Sequence, residues 1–271
     1  MSPEDRGAGR ADLGVVDVDR YLARIGYTGD RRATAEVLAD LQLAHMVAVP
    51  FENLHVVAGL PMSTDVAWSY AKVVEAGRGG WCFELNGAFG ALLHTLGFTV
   101  TYHSARVWDA AAKALGPALD HLCLIVEASG ERWLVDVGFG DSSLTPVRFD
   151  TDEDQDRRPR RCRLMRVGDE VQYLEWMHWQ EWELQYSIDL TPRTPTDFQP
   201  RSDALAAGEG TGYFTSKPFA TRALSGDGSR VWLLKDRLKR VDGVRHEPTE
   251  VPVAESTWEA TLMEWFGMTR P

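Results

Sequence analysis

The chain predicts an α+β fold built as three successive modules. Apolar residues recur at helical spacing through the first third, then alternate or cluster as short strands over residues 98–190. A mixed tail of two short strands and one helix follows. Helices first and strands second, with no internal repeat, is the order that separates α+β from alternating α/β folds.

The elements follow in turn. Asp17 can cap a helix whose apolar positions are Val18, Tyr21, Leu22 and Ile25. A second helix fits Thr34 to His45, with Val37, Leu38, Leu41 and Leu43 facing a core, and Pro50 stops the pattern. A third fits residues 63–77, capped by Ser63 or Thr64 and ended by Gly77. The fourth runs from Cys82 to Leu96 and closes at Gly97. Phe98 to Trp108 alternates as a strand. Leu122–Glu127 and Arg132–Val137 form a hairpin across Ser129-Gly130, and Cys162–Val167, Val171–Trp176 and Trp182–Leu190 are further strands. The acidic-then-basic block 150–161 predicts a solvated, mobile loop. Residues 191–212, rich in Pro, Thr, Asp, Gly and Ala, predict a linker or crossing loop. Strands at Phe219–Leu224 and Arg230–Leu234 flank a Gly226-Asp227-Gly228 turn, and a helix over Ala254–Phe266 puts Trp258, Leu262, Trp265 and Phe266 on one face.

Composition excludes several function classes. With 271 residues the chain can bury a sizeable core. A net charge of −11 argues against general nucleic-acid binding, which needs a basic surface. No apolar run approaches the roughly 20 residues of a membrane span, and Met1 to Gly7 lacks the apolar core of a signal peptide and predicts a short disordered lead-in. Three cysteines without CxxC spacing argue against a disulfide framework or a zinc site, and no histidine pair has metal-ligand spacing. These features suit a cytoplasmic protein with one working thiol and no metal.

That thiol is Cys82. It follows Arg78-Gly79-Gly80-Trp81 and opens a helix, where backbone N–H groups and the Arg78 charge favour a thiolate. A single cysteine is often a small buried hydrophobe, and Cys123, inside an apolar strand, reads that way. Cys162 lies among arginines that could lower its pKa, yet it has no following helix and no histidine near in sequence. A thiolate needs a base and the base an orienter. His121 opens a strand and could simply bond backbone. Asp136 lies within Leu134-Val135-Asp136-Val137, where a buried carboxylate requires a strong partner, and the hairpin lets it meet His121. Gly138 and Gly140 around Phe139 would let backbone approach a ligand closely.

Four segments together resemble the arylamine N-acetyltransferase family: Val49-Pro50-Phe51-Glu52-Asn53-Leu54, Arg78-Gly79-Gly80-Trp81-Cys82-Phe83-Glu84, His121-Leu122, and Val135-Asp136-Val137-Gly138-Phe139-Gly140. They occur in the family's order and near its spacings. The resemblance implies a helical domain (1–97), a β-barrel (98–190) and an α/β lid (191–271), with a cysteine-proteinase-like Cys82–His121–Asp136 triad. It implies ping-pong transfer of an acetyl group from acetyl-CoA, through a cysteine thioester, to an aromatic amine or hydrazine, with no permanently bound cofactor. Glu52 and Arg78 match positions of a supporting ion pair. Phe139 and Phe214 would line the acceptor pocket, with Gly138 and Trp81 also at the substrate. Two departures stand out. Asp120 replaces a usual threonine before the catalytic histidine, which would favour protonated His121. In the segment Ala207 to Phe214, only Phe214 survives of the usual coenzyme A contacts. The nearest alternative keeps the triad in an amide synthase that takes a polyketide from an acyl carrier protein and closes a macrolactam, although an acidic chain disfavours an acidic carrier. A cysteine peptidase or transglutaminase-like enzyme would use the same Cys, His, Asp order. A non-catalytic binding protein would leave Cys82 no more reactive than Cys123 or Cys162.

Overall fold

A computed structural model describes residues 16–177, 180–209, 213–243 and 247–271; for Tyr213 and Phe214 only the main chain is described. The lead-in expected at Met1 to Gly7 lies outside them. The first third is helical: α1 (Val18–Arg24), α2 (Ala35–Ala48), the short strand β1 (Phe51–Glu52), α3 (Leu54–Val57), α4 (Val66–Tyr70) and α5 (Cys82–Thr95). Asp17 caps α1 by accepting from Arg20 N (3.0 Å), and Thr34 caps α2 by accepting from Val37 N (3.3 Å). The third helix departs from expectation. Its cap is Asp65, which accepts from Trp68 N (2.9 Å), while Ser63 accepts only from Asp65 N. After Tyr70 the helix loosens into a π turn over Ala71–Glu75. An α5 buried on all sides from Cys82 to Leu93 is the centre of the main core, packed on by α2 and the barrel.

The barrel-like sheet is antiparallel throughout. Its strands are β2 (Thr99–Asp109), β3 (Ala114–Leu115), β4 (His121–Ala128), β5 (Glu131–Val135), β6 (Val147–Arg148), β7 (Gln155–Asp156), β8 (Arg161–Val167), β9 (Glu170–Trp176) and β10 (Trp182–Arg193), in the order β6-β5-β4-β2-β10-β9-β8-β7, with β3 on β2. The two edge strands nearly close the sheet through one side chain: Gln155 Oε1 accepts from Arg148 N (2.8 Å) and Gln155 Nε2 donates to Arg148 O (3.0 Å). Block 150–161 is therefore not simply a solvated loop. It contains β7, and Arg160 makes ion pairs with Glu175 (2.5 Å) and Asp141 (3.3 Å). Ile125, Leu134, Phe149, Leu164, Tyr173 and Tyr186 fill the barrel.

Residues 191–209, the described part of the expected linker 191–212, are also more ordered than their composition suggests. β10 continues to Arg193, a 3₁₀ turn covers Pro195–Phe198, and α6 spans Gln199–Ala206. The hydrophobic pattern of α6 is too weak to read from sequence, because a neighbouring 3₁₀ residue, Phe198, supplies its fully buried anchor. After α7 (Tyr213–Ser216), a second antiparallel sheet takes the order β1-β11-β12-β13-β14, with β11 (Ala220–Ala223), β12 (Arg230–Leu233), β13 (Arg237–Val241) and β14 (Thr249–Pro252). β13 is charged at three of its five residues and β14 is exposed along its length, which leaves little apolar alternation to detect. The final helix, α8 (Glu255–Phe266), buries Trp258, Leu262 and Phe266 on this sheet. β1 belongs to it through Phe51↔Thr221 and Glu52↔Ala220, so the first and last parts of the chain share one sheet.

Candidate active site

The turn before Cys82 is shaped by close backbone contacts. Gly80 N donates to Pro50 O (3.3 Å), Glu52 N donates to Gly80 O (2.9 Å), and Phe51 and Gly80 form a parallel bridge. A Cβ on Gly80 would lie 2.6 Å from Glu84 Oε2. At Gly79 a Cβ would collide with the Pro50 main-chain carbonyl, so glycine is required at that position of the turn. Arg24 fastens the same turn by donating to four carbonyls, those of Ala48, Val73, Gly77 and Arg78, at 3.0–3.3 Å. Cys82 is thus the first residue of α5, 8% exposed, with its thiol at the positive end of the helix.

His121 begins β4 and Asp136 follows β5 directly, and the register Leu124↔Val135 brings both to the same end of the hairpin. His121 Nε2 lies 2.7 Å from Asp136 Oδ2. The Cys82 thiol lies near enough to the imidazole to favour its charged form. His121 and Asp136 are 2% and 5% exposed. Burial opposes charge on the imidazole, but the Asp136 carboxylate, its hydrogen bond and the Cys82 thiol outweigh it and push His121 up to about 10. Burial likewise opposes the Asp136 carboxylate, while His121, Asn86 and the Gly138 amide hold it below the ordinary aspartate range. The arrangement can form a nucleophile, move a proton and hold the imidazole in one orientation.

Two residues that support this geometry, Asn86 and Tyr186, are not among the candidates read from the sequence. Asn86, one turn into α5, donates to Leu122 O (2.6 Å) and Asp136 Oδ1 (2.9 Å) and accepts from Val137 N (2.9 Å). Tyr186 on β10 donates to Asp136 Oδ2 (3.1 Å) and lies 5.1 Å from the His121 ring. An asparagine four residues after a cysteine at a helix start has one face toward the thiol's surroundings, a spacing that could have marked it. Nothing local marks Tyr186.

The remaining expected residues divide. Phe139 packs edge-on against His121 at 5.2 Å. Gly138 does make a close approach, but to protein: a Cβ there would meet Cys82 Cα and Asn86 Nδ2 at 2.7 Å. Trp81 is buried edge-on against Phe83 (5.5 Å). Phe214 falls in α7, and its side chain is outside the described residues. Glu52 and Arg78 do not pair. Glu52 lies 3.8 Å from Lys72 Nζ, which in turn holds both oxygens of Glu84 at 2.8–2.9 Å. Arg78 makes no ion pair among the described residues. The Asp120 carboxylate, expected to favour protonated His121, is paired with Arg201 at 2.6 Å. Cys162 also departs from expectation: burial and Glu175 push its thiol up to about 12 despite the neighbouring arginines. Burial raises Cys123 as well. Among the described residues no three potential ligands gather around a metal position, and no helix is long and apolar enough to cross a membrane.

Known proteins resemble this chain in sequence and fold. Residues 34–269 match the N-acetyltransferase family. An arylamine N-acetyltransferase of Escherichia coli (strain K12) is 37% identical over 182 residues, which are 67% of this chain and 64% of that protein. Among solved structures, the arylamine N-acetyltransferase from Salmonella typhimurium superposes with a TM-score of 0.86 at 28% identity, covering 94% of this chain and 92% of that one. Mycobacterium marinum arylamine N-acetyltransferase in complex with CoA gives 0.83 at 29% identity, covering 93% and 92%.

Proposed function

The chain belongs to the arylamine N-acetyltransferase family, and from that premise we propose that it transfers an acetyl group from acetyl-CoA to an aromatic amine or hydrazine through Cys82. The observation that carries the reading is the buried His121 imidazole, 2.7 Å from the Asp136 carboxylate and near enough to the Cys82 thiol at a helix start for the two to interact. Protonated His121 is the counter-ion for a Cys82 thiolate. Sγ attacks the thioester carbonyl carbon, a new C–S bond forms, and the coenzyme A sulfur leaves with the proton from His121. The amine nitrogen then attacks the acetyl-cysteine, His121 takes a proton from it, and the Cys82 thiolate is released. Asp136 keeps the imidazole oriented and supports its charge. Main-chain N–H groups at the start of α5 are the proposed donors to the oxyanion. Phe139, against the imidazole, and Phe214 are the proposed lining of the acceptor pocket. The donor assignment draws support from the relative solved in complex with CoA.

The three-module division at 97/98 and 190/191 is part of the same proposal. So is a cytoplasmic location, which three buried, unpaired cysteines support because thiols persist in a reducing compartment.

The test is the intact mass of the protein after brief incubation with acetyl-CoA and no amine. The expected result is a gain of one acetyl group that is absent in Cys82→Ala. No gain, with Cys82 still alkylated rapidly by iodoacetamide, would overturn the coenzyme A donor and leave a carrier-bound acyl donor to be tried. A Cys82 no more reactive than Cys123 or Cys162 would overturn the catalytic reading.

A further inference from the structure

Cys82 and His121 come from different parts of the fold, a helix and a barrel strand, so something must fix the distance between them. A third segment touches the immediate neighbours of both. At one end, the ring of Phe198, fully buried, packs on Phe83 at 5.7 Å, the residue after Cys82. At the other, Arg201 donates from Nε (2.9 Å) and Nη2 (2.6 Å) to Asp120 Oδ1, the residue before His121. Both partners of that pair are less than one-fifth exposed, so water and salt compete weakly for it.

The segment is itself anchored. Gln199 accepts from Thr64 N (2.8 Å) and donates to Met62 O (3.2 Å), which ties the start of α6 to the helical part of the chain. Arg201 also faces Glu209 at 3.7 Å. Asp120 is held equally firmly. A Cβ on Gly116 would lie 2.9 Å from Asp120 Oδ2, so glycine at that position makes room for the carboxylate. Leu119, just before it, has a φ of 62°, a left-handed conformation that an L-residue adopts only when its surroundings impose it. Its amide donates to Ser104 Oγ (2.9 Å). A carboxylate, a glycine that clears space for it and a strained residue that aims it all converge on Arg201.

We infer that residues 198–209 form a brace across the site, with Arg201 as a positioning residue that sets His121 against Cys82. This deepens the triad reading and rests on it. The brace is a property of this chain's own pair: neither Asp120 nor Arg201 touches a reacting atom, yet the pair joins α6 to the first residue of the histidine strand. Displacing a reacting group by about 1 Å can cost about 100-fold in rate, so a brace need hold only a fraction of an ångström to matter.

The experiment is a double-mutant cycle read by the alkylation rate of Cys82 with iodoacetamide, followed by peptide mass, in Arg201→Gln, Asp120→Asn, the double variant and Arg201→Lys. Alkylation needs no acyl donor. A protein that accepts no acetyl group from acetyl-CoA therefore still tests the brace, and the two failures stay distinct. Arg201→Gln and Asp120→Asn are expected to slow alkylation about 10-fold each. The double variant should be no more than about two-fold slower than the slower single. Arg201→Lys, which keeps the charge, should stay within about three-fold of the parent. A thermal melt reports whether each variant is folded; if Arg201→Gln is not, Arg201→Lys and Asp120→Asn decide. Alkylation within two-fold of the parent in the folded variants, or effects of the two singles that multiply in the double, would overturn the inference.

Discussion

Asn86 holds three separate pieces of the site with one side chain: the β4 carbonyl next to His121, the Asp136 carboxylate and the main chain just beyond it. All three are buried, so removing the amide strands them without water to replace it. Asn86→Ala is expected to destabilise the fold by about 3 kcal/mol, since each stranded buried group costs about 1–3 kcal/mol and the site relaxes in part. Urea unfolding at neutral pH measures it, and an unchanged midpoint would refute this role. Tyr186 contributes a single bond to a carboxylate that His121 already engages. Tyr186→Phe should therefore cost only about 1–1.5 kcal/mol, leave the protein folded, and slow acetylation of Cys82 less than about 10-fold. A larger loss would mean that the hydroxyl contributes more than orientation of Asp136.

At the scale of elements, the start of α5 depends on a buried charge cluster. Lys72 Nζ grips Glu84, whose Oε2 accepts from Trp81 N (3.2 Å) and so caps the helix that carries Cys82. Glu52, also buried, lies 3.8 Å from the same ammonium and accepts from Leu54 N (2.6 Å). Burial raises Glu84 despite the lysine, which places the cluster where losing one member is costly. Lys72→Met should destabilise the protein by about 3–5 kcal/mol, because it leaves two carboxylates in a dry site; Lys72→Met with Glu84→Gln should recover part of that loss. Equal midpoints for the single and double variants in urea would contradict the account. This cluster also marks the limit of what the sequence could tell. The glycine turn, the cysteine at a helix start and the aspartate in an apolar strand are each legible because their meaning is local. The partner of a charge is not. Glu52 pairs with Lys72 rather than Arg78, and Asp120 with Arg201 eighty-one residues away. Such choices are made by packing of elements, not by periodicity. β13, β14 and α6 escaped for a related reason: their apolar faces are too sparse for a pattern to register.

Buried histidines give the whole molecule opposite responses to pH: burial lowers His45 and His103, while its partners raise His121. His45, fully buried against Phe89 (5.0 Å) and Tyr21 (6.0 Å), has no hydrogen-bond partner on either ring nitrogen among the described residues, and burial with a contribution from Arg24 drives it down to about 3. The unfolded chain takes up this proton below about 6.5 and the folded chain does not until about 3. The fold therefore loses stability as pH falls through that window, by up to about 1.4 kcal/mol per unit. His121 has the opposite sign. Its folded value, up to about 10, exceeds the unfolded one, so its contribution is complete below about 6.5 and is lost as pH rises toward 10. The two slopes place the maximum of stability near neutral pH, where the protonated imidazole proposed for catalysis is also retained. His45→Phe separates them. It removes the proton the core cannot accept and leaves the site untouched. Its urea midpoint should fall less steeply than the parent's between pH 6 and 4, with an unchanged decline between pH 7 and 10. A parent and variant with parallel acid limbs would show that some other group sets the acid response of this fold.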